Sequence, residues 1–447
     1  MNASTTPGLK RQVTFPELMA YGLVFIGPAA AVGVFGALDA ESRGVVPVVY
    51  LVATVAMAFT ALSYVAMSRE IPSAGSVFAY ARAGIGRRAG FLTGWMVMLD
   101  YLLIPSVAYL FTGIALNSLL PSVPVWVWTA AAVLTTTSLN LAGSKIAARA
   151  ASVVVIVEII VLALVLVFGV YVLATHGPQR PWLSPFVGFG DFSWTAVFAA
   201  TSVAVLSYLG FDAIATFAEE TVGDSRVVGR ATLACLVVAG LLFMLQTYIG
   251  ALLTAVTPAE LAANPELQGP AYYTTVGDQL GGWLHTALAL AKGAGAAFSA
   301  MVGQAAASRI LMDMGRTSAL PAALTRVSGR TGVPTVGVLI AAVGNVAMAT
   351  WAATQADGLD HLVSIVDVGA LVAFVALHAS VVGYYWVRRS GPERSLWRHV
   401  VLPVAGAIIL LVVLANASRL ALTIGLVWFV VGLVVLAVRR DPQLLEG

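Results

Sequence analysis

Four ionisable residues stand where charge is costly. Asp100, Glu158, Asp212 and Lys292 each lie well inside an apolar stretch. At about 1.5 Å of rise per helical residue, each reaches the middle of a layer roughly 30 Å thick, the hydrocarbon core of a bilayer. A charge at that depth costs several kcal/mol, so each such residue has a partner or a task. Three carboxylates face one ammonium, a balance that an incoming cation would improve. For Asp100 two readings stand: an anchor for a substrate ammonium, or an ion pair with Lys292. Glu158 either loads and releases a proton, because burial disfavours the charged carboxylate, or stays neutral or paired with Lys292. Asp212 either caps N–H groups freed by a broken helix or lines a site. Lys292 is either a counter-ion that moves between carboxylates or a fixed partner. Asp367 lies only about two turns into its span, as an outer-mouth residue would. His378 reads as a packing residue satisfied within its helices. Glu219, Glu220, Arg226, Arg230, Arg309 and Arg316 sit at span ends, as an inner gate of salt bridges or as a solvated cluster.

The elements that position these residues are membrane spans. Of 447 residues, 60% are apolar and only 10% charged, with a mean hydropathy of +0.92. A soluble domain of that length needs more polar surface. Twelve spans are expected, near 15–38, 45–68, 90–119, 125–141, 150–174, 194–220, 230–256, 280–314, 335–354, 361–388, 399–417 and 421–438. The first opens with Thr14, Pro16 and Glu17, the spacing of a capping box. Twenty of the 24 Lys and Arg fall on segments facing the same side as the N-terminus; Arg43, Arg180 and Arg419 fall on the other, and Lys292 within a span. That bias places both termini in the cytoplasm, in the cytoplasmic membrane. The first dozen residues lack the plan of a signal peptide, so the first span is expected to insert the chain. The lone Cys235 permits no intrachain disulfide and reads as a packing residue. The small net charge is sorted by side of the bilayer and points to no nucleic acid.

Two spans carry breaks. The first contains Gly27-Pro28-Ala29-Ala30-Ala31, where proline removes a backbone donor in mid-helix. The sixth contains Tyr208-Leu209-Gly210-Phe211-Asp212, a glycine beside a carboxylate. An amphipathic stretch follows the second span (71–88), and another follows the seventh (257–279). The second stretch opens with the capping-box sequence Thr257-Pro258-Ala259-Glu260. One stretch falls inside and the other outside. Two five-span units of matching layout and opposite orientation are the plan of an inverted-repeat transporter.

Three stretches resemble a known family: the run from Leu206 through Gly210-Phe211-Asp212-Ala213 to Glu219-Glu220, the run Gly94 to Pro105 with Leu99-Asp100-Tyr101-Leu102, and the run Ala307 to Arg316. The chain is similar to the amino acid–polyamine–organocation superfamily along most of its length, nearest to its bacterial putrescine-importer branch. The resemblance implies an all-α LeuT-type fold, five plus five helices with broken first and sixth members and two helices added. It divides the chain into a cytoplasmic tail (1–14), a first repeat (15–174), an outer loop (175–193), a second, inverted repeat (194–388), two further helices (389–438) and a tail (439–447). It implies a substrate site between the breaks, at Gly27, Pro28, Ala29, Ala30, Ala31, Tyr208, Gly210, Phe211 and Asp212, with Asp100 and Tyr101 from the third span. Tyr208 and Phe211 would face or gate the substrate. Glu158 occupies the place where some proton-coupled members carry a lysine, so Glu158 with Lys292 is the expected coupling pair. Glu219, Arg226, Arg309 and Asp367 are the expected gate. Members that carry α-amino acids have a Gly-Ser-Gly-like first break, whose N–H groups close on a carboxylate. Pro28 has no N–H, which gives weight to a substrate that is mainly an amine.

No Walker A loop, metal-binding motif or nucleophile elbow occurs, so no catalytic residue, metal or cofactor is expected. The leading expectation is a secondary importer of an organic cation such as a polyamine, coupled to protons or alternatively to sodium. A permease or exchanger for cationic or neutral α-amino acids is the alternative, and a transport-like sensor a remote one. The expected partners are that small cationic or amino-acid substrate, the coupling ion and the lipid bilayer.

Overall fold

A computed structural model describes residues 14–71, 76–212, 214, 222, 226–316, 321–328, 331, 333–388 and 394–438. Among the described residues all regular structure is helical. The first segment is two half-helices, α1 (Phe15–Ile26) and α2 (Ala30–Glu41). Gly27 separates them with φ +75°, a left-handed conformation that a side chain would disfavour, and Pro28 donates no backbone hydrogen bond. The Gly27 amide still closes α1 on Leu23, and the Ala30 amide bonds back to the Gly27 carbonyl at 2.9 Å. The sixth segment repeats the device. Helix α9 is Trp194–Ala204; a tight turn over Val205–Tyr208 follows, and the chain leaves helical geometry at Gly210, φ +106°.

The other elements are α3 (Val46–Glu70), α4 (Ser76–Gly84), α5 (Arg87–Asn117), α6 (Val125–Ala142), α7 (Ser144–His176), α8 (Ser184–Val187), α10 (Arg226–Leu253), α11 (Pro258–Ala263), α12 (Ala271–Leu280), α13 (Gly282–Arg316), α14 (Thr335–Ala353), α15 (Gly358–Val382), α16 (Leu402–Ala415) and α17 (Arg419–Val438). Ten of the described helices are long and apolar enough to cross a bilayer. In the first expected span α1 and α2 are each too short to cross alone, and of the sixth the short α9 and the turn after it are described. The protein is a multi-pass membrane protein.

Helices in matching places of the two halves lie side by side. Helix α3 packs along α10 and α5 along α13. Gly240 and Gly229 let the first pair close, for a Cβ there would lie 2.5 Å from Thr54 and 2.7 Å from Val65. The short helix α4 lies against α5, and the short helices α11 and α12 follow α10 as α4 follows α3. The α11 start is the capping box its sequence announced: Thr257 Oγ1 accepts from the Glu260 amide, and the Glu260 carboxylate accepts from the Thr257 amide at 2.8 Å. Cys235 is buried, as a packing residue is.

Candidate substrate and coupling site

The two breaks meet. A Cβ on Gly210 would lie 3.1 Å from the Cβ of Phe25, the residue just before the end of α1. On either side of that contact is a small chamber, each of about 60 Å³. Phe25, Ile104, Ala108, Leu209 and Ser299 border both and so form the partition. A buried water needs roughly 10–15 Å³ by this measure, so each chamber suits a few small groups and not a bulky ligand.

The first chamber is lined by Gly27, Ala30, Phe111, Glu158, Lys292 and Gly295, among others. Glu158 on α7 is 2% exposed. Its carboxylate accepts a hydrogen bond from the Ala29 amide at the start of α2 and feels the charge of Lys292. No direct ion pair joins them among the described residues. The Lys292 ammonium instead lies over the Phe111 ring, 5.5 Å from its centroid, a favourable cation–π position. Gly295 makes room for the carboxylate: a Cβ there would fall 2.5 Å from Glu158 Oε2. The carbonyl freed at Pro28 is satisfied from α10, where Gln246 Nε2 donates to it at 2.9 Å.

The second chamber is lined by Asp100, Tyr101, Gly210, Asp212, Ser299 and Gly303, among others. Asp212 is enclosed by donors. Tyr101 and Tyr64 donate their hydroxyls to its Oδ2 at 3.1 and 3.4 Å, and the amides of Gly210 and of Asp212 itself donate to the carboxylate as well. The group thus caps the break and borders the chamber at once. Asp100, by contrast, is buried with Oδ1 unpartnered. It interacts electrostatically with Asp212 and Asp367, and its side of the partition is not that of Lys292.

Several expected site residues lie elsewhere. Tyr208 points away from both chambers: its hydroxyl bonds Thr54 Oγ1 at 2.7 Å, and its ring packs on Tyr50 and Phe243. Phe211 packs edge-on against Tyr64, ring centroids 5.8 Å apart. Of the first break, Gly27 and Ala30 line a chamber, whereas Pro28, Ala29 and Ala31 are buried behind it. Asp367 is not at an outer mouth: it is 2% exposed within α15, with both carboxyl oxygens unpartnered. Length along a span gives depth along the helix axis, but neighbouring helices decide access. Glu219 lies outside the described residues, as do the side chains of Arg226 and Arg309, so the gate is not described. Phe25, Ser299, Gly295 and Gln246 were not singled out from sequence. For α13 a signal existed: Gly295, Ser299 and Gly303 repeat every four residues from just beyond Lys292, one face of a helix.

A family model described as "Amino acid permease" matches residues 18–439. The chain belongs to that family. The permease architecture is the LeuT-type one, and the broken α1–α2 and α9 segments are its discontinuous helices. The permease is 28% identical to the low-affinity putrescine importer PlaP of Escherichia coli strain K12, over 98% of this chain and 96% of that one. It is 24% identical to the branched-chain amino acid permease BcaP of Bacillus subtilis, over 94% and 92%. It is 26% identical to cationic amino acid transporter 4, vacuolar, of Arabidopsis thaliana, over 85% of this chain and 65% of that one. The permease is therefore a transporter and not an enzyme.

Proposed function

We propose that this permease imports a small organic cation, a short diamine of the putrescine class, across the cytoplasmic membrane with both termini inside, and that Glu158 carries a coupled proton. One observation supports the amine most directly: the positions from Gly27 to Ala30 at the first break offer no free amide. Gly27 donates to Leu23, Ala30 donates to Gly27, Pro28 has no donor, and Ala29 donates to Glu158. A substrate carboxylate therefore finds fewer waiting N–H groups there than a half-helix start usually supplies. Asp100, which lines the second chamber and keeps one buried oxygen unpartnered, is the anchor for an ammonium. Putrescine is what the PlaP relative is named for.

A second reading is favoured by Lys292. Its buried ammonium borders the first chamber, where it would hold the carboxylate of an α-amino acid once Glu158 is protonated. BcaP and the plant transporter are named for amino acids.

Competition against labelled putrescine uptake in proteoliposomes separates the two. Diamines compete and α-amino acids do not if the amine reading is right. Asp100→Asn then raises the KM for putrescine about ten- to a hundredfold, the worth of one hydrogen bond to a charged group. Inhibition by amino acids alone, with Asp100→Asn transporting as wild type, would discard the amine reading. Glu158→Gln removes acceleration by an inward proton gradient if the proton assignment holds.

A further inference from the structure

Two buried oxygen atoms, on helices that pack together, lack partners. Glu158 Oε1 is one and the hydroxyl of Tyr273 on α12 is the other; their residues are 2% and 1% exposed. The two groups interact electrostatically, yet they are not in direct hydrogen-bond contact. An unpaired hydroxyl and an unpaired carboxylate oxygen inside a protein are both costly, and a water with polar partners on two sides relieves both. The adjacent Tyr272 shows the contrast, since its hydroxyl is satisfied by the Gln246 carbonyl at 3.3 Å.

The position of α12 gives this pair a direction. Helix α12 packs on α2, α7 and α13, the elements that bring Ala29, Glu158 and Lys292 together. It lies on the face that the Lys and Arg distribution makes the outer one, and Thr274, next to Tyr273, is exposed. Tyr273 therefore lies on the helix that joins this outer face to the elements around Glu158.

Resting on the proton assignment to Glu158, we infer that Tyr273 is the outer relay that delivers that proton. A proton from outer water binds Tyr273 Oη while the hydroxyl's own proton leaves through a bridging water to Glu158 Oε1. The O–H bond lost at Oη is replaced by the one formed there. The bridging water gains one O–H bond and gives up another, and the carboxylate becomes a carboxylic acid. Tyr273 touches no substrate and acts through Glu158.

The surrounding charges fit a relay confined to this pair. Lys292 on α13 is the charged group that acts on Glu158. From α2, Asp39 is already paired with Arg180. On α12 itself Asp278 interacts with His285, near the start of α13. Helix α5 faces the chamber with Phe111 and Val107, and α10 reaches the break with Gln246; neither brings a charged side chain here.

Tyr273→Phe removes the one oxygen. In proteoliposomes loaded with substrate, uptake driven by an inward proton gradient falls by about tenfold or more, the scale of a lost proton-transfer group, toward the level of Glu158→Gln. Counterflow at equal pH on both sides stays at the wild-type rate, because exchanging substrate for substrate moves no net proton. Tyr273→His, which again carries a transferable proton, restores part of the gradient effect. Gradient-driven uptake that survives Tyr273→Phe overturns the relay, and so does a parallel loss of counterflow, which would make Tyr273 a packing residue. If Glu158→Gln loses the gradient effect while Tyr273→Phe keeps it, only the relay fails. If the wild type gains nothing from the gradient, the proton assignment fails and takes the relay with it.

Discussion

The carboxylate of Glu158, deep in α7, takes the Ala29 amide at the start of α2 as its hydrogen-bond donor. A negative group at a helix N-terminus is well placed against the helix dipole, so this contact holds the broken first segment to the fifth. It also ties the proposed proton site to the start of α2: a change in charge on Glu158 changes the strength of the cap.

That relationship separates two substitutions. Glu158→Gln keeps an oxygen that accepts from Ala29, whereas Glu158→Ala leaves the amide buried and unpaired, at a cost of about 1–3 kcal/mol. The alanine variant should therefore unfold at a clearly lower temperature in detergent than the glutamine variant, which should stay near wild type. Equal melting temperatures for the two would mean that the cap contributes nothing.

Much of this arrangement is legible in the sequence, for reasons that differ by residue. The spans show because hydrocarbon demands long apolar runs, and the breaks show because Gly27-Pro28 and Gly210 are poor helix formers. Thr257 and Glu260 show because a capping box is local. Asp100, Glu158, Asp212 and Lys292 show because charge at mid-depth is rare. Their pairing does not show. Whether Lys292 serves Asp100 or Glu158 depends on how α13 is rotated against α5 and α7, and no local pattern fixes that. Gln246 meets Pro28 across 218 residues of chain, and its polarity within an apolar span was the only hint. Tyr208 and Phe211 were placed by resemblance at the substrate, yet their rings fill the space between α3, α10 and α15, because an aromatic beside a break packs wherever the neighbouring helices leave a gap.

The α11 capping box predicts a pH response at the start of that helix. The Glu260 carboxyl is exposed and held below its ordinary value of 4.5 by the amide and hydroxyl of Thr257. A depressed acid contributes stability that is fully present above its unfolded-state value and is lost as pH falls through the folded one. Amides of Glu260 and Leu261 should therefore stay protected at neutral pH. They should lose protection below the ordinary carboxylate range, once intrinsic exchange is corrected for. Thr257→Ala should remove both the protection and its pH dependence. Protection that is flat across that window in the wild type would show that the box does not hold the helix start.

A buried ion pair stands at the C-terminal end of α2. Arg180, from the loop between α7 and α9, bonds Asp39 with both guanidinium nitrogens, at 3.0 and 2.7 Å. The side chains are 5% and 0% exposed. Arg180 also donates to the Val256 carbonyl and lies over the Phe189 ring, 5.8 Å from its centroid. One side chain thus joins α2, the segment after α7 and the segment leading into α11. Removing one partner strands a charge where water cannot reach it, so Asp39→Leu or Arg180→Leu alone should cost about 3–5 kcal/mol. The double variant Asp39→Leu with Arg180→Leu strands no charge and should cost less than the sum of the two, with a coupling of about 0.5–3 kcal/mol in a double-mutant cycle. Thermal unfolding of the four proteins in one detergent measures it. Additive losses would mean that the pair is not a unit and that α2 is held at its C-terminal end by packing alone.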